Sequence, residues 1–246
     1  MKRLLITFIC FLFAGILLSQ DMKLEDILAK NFKASGQDKL ENMSTSKMTM
    51  SMSQQGMTFS VSTFRKHPNF LRMEMEMQGT KIIYAFDGQN GWMINPAAGT
   101  LDPQDMPAEM VKDFDDKTST LLNWNNPFFN WKEEGNKIEL VGLEDMNGIQ
   151  VYNIKITYKD NDVMNYYMDA AKFLVLKEKS TDTTQGQAMV EEDVYSDFRE
   201  VDGVMVPFKF EIFANGQNSV VANVDKVEFN LPLEDTIFKK PVPETK

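Results

Sequence analysis

An α+β fold that is mainly antiparallel β is predicted by three observations. Met48, Met50 and Met52 alternate with Thr49, Ser51 and Ser53, and Leu71, Met73, Met75 and Met77 alternate with Arg72, Glu74, Glu76 and Gln78. This period of two sets an apolar row on one sheet face and a wet, charged row on the other. The dipeptides Gln55-Gly56, Asp87-Gly88, Asn147-Gly148, Asp202-Gly203 and Asn215-Gly216 fall where strands would meet, as hairpin turns with positive φ require. Helical periodicity interrupts the pattern only in short stretches.

Residues 22 to 34 place Leu24, Ile27, Leu28 and Phe32 on one helical stripe that Ser35-Gly36 stops. Strands are then expected at 43 to 53, 57 to 66, 70 to 78, 80 to 86 and 91 to 95. A second helix is expected over 105 to 123, with Met106, Met110, Phe114, Leu121 and Leu122 near one face, Asp102 and Asp105 as start signals and Pro103 or Pro107 in the first turn. Asn126-Pro127 opens a shorter element through Phe128, Phe129 and Trp131 that Gly135 closes. Further strands are expected at 136 to 144, 149 to 159, 163 to 169, 173 to 180, 188 to 199, 204 to 214 and 218 to 229, with one or two merged, giving about eleven in a meander large enough to curl around a cavity. Asp160-Asn161-Asp162 lacks the glycine and distal glutamate of a calcium loop and reads as a hairpin turn.

Residues 1–20 run from Met-Lys-Arg through an apolar core, Leu4 to Leu18, to Ser19-Gln20, the pattern of a cleaved secretory signal. Cleavage would remove Lys2, Arg3 and the single cysteine, Cys10, lowering the net charge of −10 by a further two. The mature chain would hold no disulfide and no thiol-built metal site, and Cys10 lies too deep in the apolar run to be a lipidated first residue. A soluble extracytoplasmic, periplasmic protein is the expectation, with residues 21–240 as a single domain and 241–246 as a frayed tail. So acidic a chain should be repelled by nucleic acid and by anionic headgroups.

The run Phe64-Arg65-Lys66-His67-Pro68-Asn69-Phe70, followed by Asp87-Gly88-Gln89-Asn90-Gly91-Trp92-Met93-Ile94-Asn95-Pro96, resembles the LolA-like family of periplasmic outer-membrane lipoprotein carriers. That family has a similar Lys-Arg-Pro-Asn strand end, a Ser-Asp-Gly turn and a Trp-x-x-Asn-Pro strand. The order of elements agrees as well. The resemblance implies an incomplete, half-open β barrel with a helical lid, whose apolar interior holds lipid acyl chains. In the family an arginine stands just before the proline and latches the lid; here that position is His67, and Arg65 would reach it only through a slip of register.

On this reading Met48, Met50, Met52, Phe59, Val61, Leu71, Met73, Met75, Met77, Trp92, Ile154 and Ile156 line a lipid-binding cavity. Met106, Met110, Phe114, Trp124, Phe128, Phe129 and Trp131 form the lid, and His67 or Arg65 the latch. Methionine has poor β propensity but adapts to irregular or changing partners, and all but one of the 18 methionines lie beyond residue 20. Enzyme chemistry has little support: there is no Gly-x-Ser-x-Gly, one histidine, no phosphate-cradling glycine loop, and acidic pairs such as Asp115-Asp116 and Glu191-Glu192 read as solvated faces. The expectation is a monomeric carrier or sensor of acyl chains or lipoproteins that exchanges cargo with inner- and outer-membrane transport proteins and needs no cofactor or metal. The alternative is an envelope stress sensor that binds a polypeptide in the barrel groove.

Overall fold

The computed structural model describes residues 22–96, 99, 101–115, 126–182 and 189–241. Thirteen antiparallel strands form one open sheet. The first meander is β1 (Thr45–Gln54), β2 (Met57–Lys66), β3 (Phe70–Met77), β4 (Thr80–Phe86), β5 (Gly91–Ile94) and β6 (Gln104–Asp105). The second is β7 (Lys137–Met146), β8 (Ile149–Thr157), β9 (Val163–Asp169), β10 (Val175–Asp182), β11 (Met189–Val201), β12 (Val204–Ala214) and β13 (Gln217–Phe229). The order β6-β5-β4-β3-β2-β1-β13-β12-β11-β10-β9-β8-β7 puts the first and last strands together at the centre and leaves β6 and β7 at the two edges.

The expected strands all appear, none of them merged, so the sheet exceeds eleven. The additional strand, β6, lies where a helix start was expected: Met106 still donates its N–H to the carbonyl of Gly91, so the chain leaves the sheet only at Pro107. Pro107 then accepts the first helical bond, from Val111, and helix α3 runs over Ala108–Asp115. The remainder of the expected helix, with Leu121, Leu122 and Trp124, lies outside the described residues, as do residues 1–20, where a signal is expected, and those from 242. Residues 127–135 form consecutive turns, not a helix. Asn130 and Gly135 both take positive φ there, 55° and 80°, which a continuous right-handed helix cannot include.

The two-residue turns follow the sequence. Gln55-Gly56, Asn147-Gly148, Asp202-Gly203 and Asn215-Gly216 each pair two positive φ values, as does Gln78-Gly79, which joins β3 to β4 and carries no Asn or Asp to announce it. Asp87 instead accepts two backbone N–H bonds, from Gln89 and Asn90, in a longer loop.

Helix α1 (Leu24–Ser35) lies on one face of the sheet, called here the inner face, with Ile27 and Leu28 against Ile154, Ile156, Tyr166 and Met168. Burying two such aliphatic side chains contributes roughly 3 to 6 kcal/mol. Gly36 ends α1 in the left-handed region, and a Cβ there would stand 2.1 Å from the Gly203 carbonyl, so only glycine lets the helix end seat on the β11–β12 turn. The one-turn helix α2 (Gln37–Leu40) follows.

A second inner-face core packs Met48, Met50 and Val61 against Tyr195, Val206, Phe208, Phe210 and Val224 across the β1–β13 seam. On the opposite, outer face, Ile83, Ala85 and Trp92 make a small separate cluster. Residues 231–240 strap it: Trp92 donates to the Phe238 carbonyl (2.7 Å), Arg72 to the Ile237 carbonyl (2.6 Å), and the ring of Phe238 meets that of Phe70.

Candidate functional site

Register decides which expected cavity residues stand together. Met48, Met50 and Met52 oppose Thr63, Val61 and Phe59; Val61 and Thr63 oppose Met75 and Met73; these oppose Ile82 and Tyr84. All therefore share the inner face, together with Leu71 and Met77. Part of the row is sealed, with Met50 wholly buried and Met48, Val61 and Leu71 nearly so. Farther along the same strands, toward the β1–β2 and β3–β4 turns, Met52, Phe59, Met73, Met75 and Met77 are only half-buried although they face inward. Ile154 and Ile156 share this face in the other half of the sheet but are fully covered by α1 and Phe128, so they are packed core rather than wall.

Trp92 must be removed from this set. It opposes Ala85, whereas Met93 opposes Tyr84, so Met93 stands on the ladder's face and Trp92 on the other, under the strap. Alternation about Met93 carried that information, and the Trp-x-x-Asn-Pro resemblance obscured it.

The lid residues divide similarly. Met106 is buried over Gly91, where an added Cβ would lie 2.7 Å from its Sδ and 2.9 Å from Cγ2 of Val111; the missing side chain lets the start of α3 settle on the inner face. Met110 is half-buried on α3. Phe114 also lies on α3, but its side chain, like all of Trp124, is outside the described residues. Phe128 is fully buried, edge-on to Tyr166 at 5.2 Å, and is a core anchor rather than a movable lid residue. It is fixed by Asn126, which accepts from the Phe128 N–H and donates to Asn31 at 2.6 Å; Asn31 in turn donates to the Phe173 carbonyl. Phe129 meets Phe32 edge-on and Trp131 is half-buried beneath Lys132.

Of the two latch candidates, His67 is exposed at the strand end, and Arg65 turns inward. No register slip is involved: positions 65 and 67 have the same parity, and Arg65 opposes Ser46 and Leu71 in the ladder's own row. Its Nη2 is shut from solvent, and loss of hydration lowers the guanidinium pKa to about 9.

The inner face also holds acids that the sequence reading passed over. Glu178 is buried and opposes Asp193 across the β10–β11 ladder. Burial first, and then the charge of Glu191, raises the Asp193 carboxyl to about 6. Tyr166, hydrogen-bonded to Tyr158 at 2.7 Å, is pushed well above the usual phenol range by burial and by the charge of Glu178. The signal was present in parity, since Asp193 alternates with Val194 and shares a face with Tyr195. Among the described residues no three His, Cys, Asp or Glu stand close enough to hold a metal ion. No described helix is long and apolar enough to cross a membrane.

An open antiparallel sheet with helices laid on one face, and an inward apolar row left half-buried there, defines the structural class. No protein-family model matches the sequence, and no curated protein aligns with it significantly. Solved structures do. A LolA superfamily protein from Nitrosomonas europaea superposes with a TM-score of 0.59 at 13% identity, over 89% of this chain and 98% of that one. A DUF1329 family protein from Desulfovibrio piger gives 0.57 at 16%, over 87% and 97%. A Vibrio parahaemolyticus domain named for outer membrane lipoprotein sorting gives 0.57 at 13%, over 87% and 95%. The chain has the LolA-like fold.

Proposed function

We propose that the protein is a periplasmic carrier that holds lipid acyl chains, free or attached to lipoproteins, on the inner face of the sheet without converting them. The observation that carries this reading is the inward row Met52, Phe59, Met73, Met75 and Met77, left half-buried beside a sealed core. Flexible thioethers suit a wall that must fit chains of differing shape. Each methylene moved onto such a wall from water contributes about 0.8 kcal/mol. Release then needs α3 to lift from Gly91, or a more apolar acceptor; inner- and outer-membrane transport proteins are the partners this implies. Arg65, desolvated in the same row, is better placed than His67 to hold the closed state.

The test is twofold: mass spectrometry of organic extracts from the purified protein, and titration with a fluorescent fatty-acyl probe. A co-purifying acyl species and saturable probe binding weakened by Met73→Ala and Met75→Ala are expected. Absence of both overturns the reading.

A second reading, an interaction protein that pairs with an extended polypeptide, is favoured by one observation. Among the described residues β7 is paired only with β8, leaving its other edge open along ten residues. Peptide capture abolished by Leu140→Pro, with no acyl binding, would select it.

A further inference from the structure

The acids of the inner face share cross-strand rows with the proposed acyl wall. Asp193 on β11 opposes Ile212 on β12, Ile212 opposes Val220 on β13, and Val220 opposes Gln54 at the end of β1. The adjoining row on the same face runs from Tyr195 through Phe210 and Ala222 to Met52 and Phe59. Apolar side chains fill the positions between β11 and β1 in both rows, and Ile212, like Met52 and Phe59, is half-buried. Three strand spacings, about 14 Å, separate Asp193 from β1, less than the length of a common acyl chain.

Asp193 is itself half-buried, and its Oδ1 is shut from solvent with no hydrogen-bond partner among the described residues. The titratable groups that face it are Glu178 across on β10, with Tyr166 beyond on β9 and Tyr158 bonded to that phenol, and Glu191 and Tyr195 on β11 itself. From β12 it meets only Phe210, Ile212 and Ala214. Lys177 and Lys179 flank Glu178 in sequence but lie on the outer face, paired with Glu192. An acyl chain running from Met52 over Ile212 covers the part of Asp193 that still meets water. It offers no hydrogen bond in return, so it penalises the carboxylate and favours the neutral acid. Chain and proton then strengthen each other's binding by the same factor.

We propose that acyl binding on the inner face takes up a proton at Asp193, so that the carrier holds its cargo in mild acid and releases it as pH rises. The inference rests on the acyl-carrier reading and adds its regulation. In the free protein, burial and then the charge of Glu191 already bring this carboxyl to about 6. Cover by the chain raises it further. The gain in affinity is therefore complete below about pH 6 and is lost as pH climbs through the higher value of the complex.

The test is titration of the full mature chain with a fluorescent monoacylglycerol, which carries no titrating group, at constant ionic strength from pH 5 to pH 8. Affinity in the parent should fall about tenfold across this range, the effect of one pKa unit gained on binding. Asp193→Asn should bind at every pH as the parent does at pH 5. Glu191→Gln, which removes the neighbouring charge, should move the midpoint of the profile to lower pH. Asp225→Asn, at an exposed acid bonded to Ser51 on the outer face, should keep the parent's profile. Calorimetry of binding at pH 7 in two buffers of different ionisation enthalpy should read net proton uptake in the parent and none in Asp193→Asn. Equal affinity at pH 5 and pH 8, or a pH profile that survives in Asp193→Asn, overturns the proposal and leaves acyl carriage standing. No binding even at pH 5 overturns both.

Discussion

At the scale of single residues, Asp193 ties acidity to stability. A carboxyl raised from 3.8 to about 6 keeps its proton in the fold while the unfolded chain has already released it. Folding stability therefore falls as pH rises through that window, and the full loss is present above about pH 6. Asp193→Asn should be more stable than the parent by about 1 to 3 kcal/mol at pH 7.5, with the gain vanishing near pH 4. Urea unfolding of both proteins at the two pH values checks it; equal stability at pH 7.5 would remove the linkage. The methionines offer the matching contrast. Met50→Ala, at a wholly buried site, should cost about 2 to 5 kcal/mol, whereas Met75→Ala, half-buried, should cost less than about 1.5. Urea unfolding of the two variants measures both. The alternation that puts these methionines on one face is written in the sequence. How deeply each is covered is not, because cover comes from strands remote in the chain, such as Tyr195 of β11 and Phe208 and Phe210 of β12.

Among elements, α3 and the 126–135 turns share the inner face but are held in different ways. α3 rests on the gap at Gly91 through Met106 and Val111, so Gly91→Ala should push its start off the sheet. Faster hydrogen exchange over Ala108–Val111, with a stability loss of about 1 to 3 kcal/mol, is the expected outcome. Unchanged exchange would mean that the contact does not set the helix position. The 126–135 turns are locked by Phe128 and by the Asn126–Asn31 bond, and Phe128→Ala should cost about 3 to 5 kcal/mol in urea unfolding without speeding exchange in α3. The sequence carries Asn126-Pro127 and the aromatic cluster plainly. It does not separate gate from anchor, since an apolar ring at this spacing suits either until its neighbour, here Tyr166, is known.

For the whole molecule, hairpins were legible and their assembly was not. Strict alternation and Asn-Gly or Asp-Gly turns fix neighbours such as β7–β8 and β11–β12, whereas the β1–β13 pairing joins Ser46 to Phe229 with no local mark in either strand. The strap was also hidden, because Trp92 and Phe238 meet only once β5 and the segment after β13 are in place. Deleting residues 231–246 should lower the urea midpoint and, with Trp124 and Trp131 replaced by Phe, shift Trp92 emission to the red. Fatty-acyl probe affinity should hold, because the strap covers the other face; a large loss of affinity would show the two faces to be coupled. The central seam bears on the order in which the molecule is made. The meander β1–β6 is complete in sequence at Asp105, yet β1 has no second neighbour until Gln217–Phe229 has been added. A ribosome working through the second meander therefore trails a half-sheet with one bare central edge, a template for pairing with other chains. Interrupted synthesis before β13 would release that edge permanently, so truncated products are expected to aggregate and the last strand made is the one that renders the chain self-sufficient.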